Sequence, residues 1–79
     1  MAASGPSGRQ LAAQWLVDNV EVGDTFHWND LKNAFPNISQ IDRRGRELRT
    51  HHGWGISMYR DDPSLAQDEA RLDSIGTMP

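Results

Sequence analysis

At Gly53 the apolar residues change their spacing, and that change limits the fold more than any other feature of the chain. Before it, apolar positions recur three and four residues apart. From Trp54 they alternate, with Trp54, Ile56 and Met58 on one side and Ser57 and Tyr59 on the other. Helices must come first and a half-buried strand after them. A weaker alternation in ARLDSI follows the polar stretch DDPSLAQDE, with Pro63 at its turn, so the two strands read as a hairpin with a nine-residue tip.

The helical part divides at its turn formers. In SGRQLAAQWLVDNV, Ser7 followed three residues later by Gln10 is a capping-box pattern. Leu11, Ala12, Trp15, Leu16 and Val20 then share a face, which predicts a first helix from about Gly8 to Asn19. EVGD is a turn, and TFHW, rich in β-forming residues, allows a short strand after it. Asn29 is the expected N-cap of a second helix, DLKNAF, whose end Pro36 enforces. After a short link (Pro36, Asn37, Ile38), a third helix is expected behind Ser39. Asp42 near its start suits the helix dipole, and Gly53 supplies its left-handed stop. Helix, short turn, helix is the outline of a helix-turn-helix.

With 79 residues and no cysteine, the chain has room for one modest core held without disulfides, thiolate zinc sites or thiol chemistry. Function is therefore expected on a surface or in a shallow cleft. No apolar run approaches the roughly 20 residues of a membrane span, and MAASGPSG lacks the features of a secretory signal. The expected location is the cytoplasm. Residues 1–8 read as a disordered tail, a linker or an expression remnant, residues 9–75 as the domain, and residues 76–79 as a second tail.

The net charge of −3 hides an uneven distribution. Residues 39–60 carry five arginines against two acids, a local +3, whereas residues 61–79 carry Arg71 against five acids, a local −4. Screening confines charge effects to about 10 Å at ordinary salt, so the local sign matters more than the total. Placed on a helix at about 100° per residue, Ile41, Gly45, Leu48 and His52 form one apolar stripe. Gly45 lies within it, which predicts close approach of another helix. On the opposite face lie Ser39, Arg43, Arg46 and Thr50, with Gln40 and Glu47 beside them and Arg44 and Arg49 at the boundaries. Arginine forks match guanine, Gln matches adenine and Glu accepts from cytosine, so this face has the chemistry of base-edge recognition. It also has a plainer reading as a solvated face on which Glu47 neutralises Arg43.

Helix, short strand, helix, turn, helix and hairpin is the order of a winged helix-turn-helix domain. The run IDRRGRELRTHHGWGISMYRDDPSL, with its R-x-x-E-L-R helix, Gly-Trp step and acidic tip, resembles the winged-helix DNA-recognition domains found in or beside bacterial and phage restriction-type and HNH endonucleases. The resemblance implies an α+β fold of three helices with a C-terminal β-hairpin wing. It also implies binding of double-stranded DNA, with the third helix in the major groove and wing contacts to the backbone. Carried onto this chain, the contact residues are Ser39, Gln40, Arg43, Arg44, Arg46, Glu47, Arg49 and Thr50 from the helix region, with Tyr59 and Arg60 from the wing. Such a module belongs to a larger restriction, phage or regulatory protein, with a linked catalytic domain or a homodimer partner.

Asp61, Asp62, Asp68 and Glu69 depart from that pattern, because phosphate would repel an acidic wing tip. An alternative is therefore a winged-helix module that docks a protein through Trp28 or the acidic wing. His27, His51 and His52 lack recognised ligand spacing, so no metal or other cofactor is expected. No P-loop, dinucleotide fingerprint or nucleophile elbow is present in the sequence, and the domain is not expected to be an enzyme.

Overall fold

The structure, a computed structural model, describes residues 7–79, so most of the expected N-terminal tail lies outside the described residues. Its elements are α1 (Gly8–Asn19), β1 (Thr25–His27), α2 (Trp28–Ala34), α3 (Ile41–His51), β2 (Gly55–Met58) and β3 (Glu69–Ser74). The fold is α+β: three helices and one antiparallel sheet in the order β1-β3-β2. No helix among the described residues is long and apolar enough to cross a membrane.

Local signals set α1. The Ser7 hydroxyl accepts from the Gln10 N–H at 3.2 Å, and the Gln10 side chain accepts in return from the Ser7 N–H at 3.4 Å. Ala12, Ala13 and Leu16 bury one face of α1, which packs along α3.

The second helix begins one residue before the expected cap. Asn29 lies inside α2, and His27, at the cap position, makes no side-chain cap bond. Asp68 caps instead: its backbone carbonyl accepts from Trp28 N–H at 2.9 Å, and its carboxylate accepts from Asn29 N–H at 3.1 Å. A carboxylate there also suits the positive end of the helix. Extending the helix to Trp28 turns that indole inward, where it is 1 % exposed. This removes the alternative reading of Trp28 as an exposed partner contact.

The third helix starts later than expected. Residues 35–40 separate α2 from α3, and the cap position is Gln40 rather than Ser39, with Gln40 in the left-handed region at φ 58°, ψ 36°. At the other end Gly53 (φ 70°) reverses the chain, and the Trp54 N–H returns to the Leu48 carbonyl at 3.2 Å. Ile41, Gly45 and Leu48 are buried, as the helical periodicity requires. A Cβ on Gly45 would stand 2.8 Å from Trp28 Cζ3 and 3.2 Å from Leu31 Cδ2. The glycine is where α2 closes on α3.

In the sheet, β3 is central. Ala70 faces Phe26 on one side and Met58 on the other, and Leu72 pairs with Ile56. Ala70, Leu72, Ile56 and Trp54 bury the inner face against the helices. Both hairpin strands depart from expectation, β2 ending two residues early and β3 starting one residue early. β2 stops at Met58, leaving Tyr59 and Arg60 in the connecting loop, and β3 starts at Glu69. The residues expected as a C-terminal tail are fastened at Thr77, whose N–H donates to the His52 carbonyl and whose own carbonyl accepts from the Trp54 indole at 2.7 Å.

Candidate nucleic-acid interface

Burying Ile41, Gly45 and Leu48 leaves the arginines of α3 on its outer side. Their side chains are 68 % (Arg43), 42 % (Arg44), 45 % (Arg46) and 44 % (Arg49) exposed. Thr50 is exposed on the same helix, and Ser39 and Gln40 are exposed in the turn before it. Eight of the residues singled out from the sequence thus lie on one continuous stretch, with Tyr59 and Arg60 in the loop after β2.

The first half of this face is organised by one carboxylate. Glu47 accepts from Arg44 at 2.8 Å and from Arg9 of α1 at 2.9 Å, and stands 4.0 Å from Arg43. The Arg44 and Arg9 hydrogen bonds hold its carboxyl at about 2, well below its ordinary 4.5. Three cations thus share one anion, and the surplus is positive. Asp42 makes a looser bridge between Lys32 at 3.7 Å and Arg46 at 3.4 Å.

The second half is organised by shape. The Arg46 guanidinium sits over the Trp28 ring, 5.1 Å from its centroid, an attraction worth about 0.5–1 kcal/mol at an exposed site. Arg49 forms a two-pronged pair with Asp61 of the β2–β3 loop, at 2.8 and 3.1 Å. That pair and the Met58 N–H hold the Asp61 carboxyl below its ordinary range. Helix and loop together enclose an open cleft of about 570 Å³, into which Arg46, Arg49, Thr50, Tyr59 and Arg60 all project. Among the described residues Arg60 forms no ion pair. Ser39, Gln40, Arg43, Arg44 and Glu47 do not line this cleft.

The loop acids serve the loop itself. Asp62 accepts from the Ser64 hydroxyl and N–H and from Arg71, which together lower its pKa, and Glu69 accepts from the Ala66 N–H. With Asp61 on Arg49 and Asp68 on α2, every acid that the sequence presents as a repulsive tip has a partner within the domain. Sequence reasoning missed three participants: Arg9, whose partner is 38 residues away, and Met58 and Gln67, which line the cleft. The charge of Arg9 and the strand position of Met58 are visible in the sequence, but neither marks its role here, and nothing there marks Gln67.

Three helices on a three-stranded antiparallel sheet, with arginines along one helix, define a small α+β module built around a cationic face. The family model of the KpnI N-terminal domain matches residues 9–73, which takes in all six elements to within a residue. The chain belongs to that family, and is thus a restriction-enzyme-associated domain. No curated protein and no solved structure matches it.

Proposed function

We propose that the domain is a winged helix-turn-helix module that recognises double-stranded DNA for a larger restriction enzyme, with α3 in the major groove and the β2–β3 loop as the wing against the backbone. The observation that carries this reading is the sidedness of α3: its small and apolar residues are buried and its arginines are exposed on the outer side. Arg43, the most exposed of them, is the foremost candidate for a guanine, with Gln40 and Ser39 at the leading end of the helix. Arg44 and Arg49, tied to Glu47 and Asp61, contribute field and backbone contacts, and Arg60 and Tyr59 meet the backbone from the wing. Glu47, saturated by arginines, positions them rather than reading cytosine. The domain contributes recognition, and chemistry belongs to a linked catalytic part.

The protein-docking reading is less well supported, because Trp28 is buried and the loop acids, though exposed, are engaged within the domain. Titration of the isotope-labelled domain with short duplexes at low and moderate salt tests the DNA reading. Amide shifts should centre on residues 39–50 and on Tyr59, and weaken as salt rises. Arg43→Ala and Arg46→Ala should each weaken binding by about 1–3 kcal/mol with folding intact. Unchanged affinity in the double variant removes the assignment.

A further inference from the structure

We propose that the cleft between the second half of α3 and the β2–β3 loop receives a single nucleotide unit, base and phosphate together. At about 570 Å³ the cleft falls within the range of about 300–1,000 Å³ typical of small-molecule sites, well beyond what a lone phosphate fills. Its lining is of two kinds. Arg49, Arg60 and the Thr50 hydroxyl are donors suited to a phosphate. Tyr59, 46 % exposed, and the Arg46 guanidinium, held over Trp28, offer surfaces on which a base can stack. The Gln67 amide, exposed and without a hydrogen-bond partner among the described residues, can both donate to and accept from a base edge. An apolar ligand would give no partner to Arg60, which forms no ion pair among the described residues, and an inorganic anion would leave the tyrosine and the amide unused.

Asp61 adds a condition. Its carboxylate holds Arg49 from the loop side, so an arriving phosphate competes with Asp61 for that guanidinium. Two sources can supply the unit: a free nucleoside monophosphate, or one nucleotide turned out of a duplex into the site. The second source rests on the DNA-binding reading, and the first does not.

The test is a titration of the whole chain with the four deoxynucleoside monophosphates at millimolar concentration, against inorganic phosphate, following the Gln67 side-chain amide, Tyr59 and Thr50 by NMR. Saturable shifts at Gln67 and Tyr59 with a monophosphate, tighter than phosphate by about ten-fold and lost in Tyr59→Ala, are expected. Both Tyr59 and Gln67 are exposed, so Tyr59→Ala and Gln67→Ala should leave the fold unchanged. In a parallel arm, a duplex carries a fluorescent base analogue at a mismatched position. A rise in its emission on binding, abolished by Tyr59→Ala, assigns the turned-out nucleotide, and monophosphate binding without that rise assigns the free one. If monophosphates shift these residues no more than phosphate does, the proposal falls, whatever duplex binding through residues 39–50 shows.

Discussion

The two halves of α3 hold their arginines in opposite ways. In the first half, Arg9, Arg43 and Arg44 crowd around the single carboxylate of Glu47, so charge is in excess and geometry is shared. In the second, Arg49 has Asp61 to itself and Arg46 lies over an indole, so charge is nearly balanced and each guanidinium has a fixed place. An excess of exposed positive charge attracts any polyanion and loses strength with salt, whereas fixed donors around a cleft select by shape. On the proposed reading, one helix thus carries an attractive edge and a selective edge, and Gly45 sits where α2 presses between them.

Removing the support of the selective edge should have the largest effect. Trp28 is 1 % exposed, packs edge-on to Phe26 at 4.9 Å and lies under both Gly45 and Arg46. Trp28→Ala should destabilise by about 3–5 kcal/mol, a large share of the roughly 5–15 kcal/mol available to a small domain. At about 4–8 °C per kcal/mol, Tm should fall by roughly 12–40 °C in a calorimetric scan. Trp28→Phe, which keeps a ring in place, should lose much less. A fall of only a few degrees for the alanine variant would mean that the indole is not the common floor of α2 and α3.

The attractive edge breaks with acid instead. Glu47 titrates at about 2 when folded against an ordinary 4.5, so between those values the unfolded chain binds the proton more readily. Stability from this hub is therefore complete above about pH 4.5 and is lost as pH falls toward 2. Glu47→Gln should flatten the dependence of Tm on pH in that window. It should also raise the affinity for duplex DNA at low salt, with a steeper salt dependence of up to about one unit of slope. Asp61→Asn should change the acid profile in the same direction, since Asp61 is likewise lowered, but it frees one arginine rather than three. Equal effects of the two substitutions would erase the distinction between the halves.

The attractive edge was the more legible of the two in the sequence. Its residues follow one another on a helix, so the 3.6-residue period alone separates Ile41, Gly45 and Leu48 from Arg43 and Arg46, and the Ser7–Gln10 cap is equally local. The selective edge depends on pairs far apart in the chain. Asp68 caps α2 from 39 residues away, which is why Asn29 failed as a cap. Gln67 reaches the cleft through the path of a loop, and loops have no periodicity to read, while Met58 stands at the end of β2. Local pattern thus finds where charge is displayed, while the shape around it comes from tertiary contacts.

The smallest predicted effect concerns Gln40, where the turn becomes α3. Its left-handed backbone disfavours a residue with a Cβ by about 1–2 kcal/mol, and a glycine would relieve that while adding about 0.5–1 kcal/mol of unfolded-state entropy. Gln40→Gly should therefore be neutral to stabilising, by up to about 1.5 kcal/mol, which a calorimetric scan resolves as an unchanged or slightly higher Tm. Its amide oxygen accepts from Arg43 at 3.4 Å, which ties the turn to the most exposed arginine of the attractive edge. If Gln40 reads a base, the glycine variant should bind duplex more weakly by about 1–3 kcal/mol while folding as well or better. A variant that folds as well and binds as tightly would show instead that the glutamine only forms the joint, and that recognition on this edge begins at Arg43.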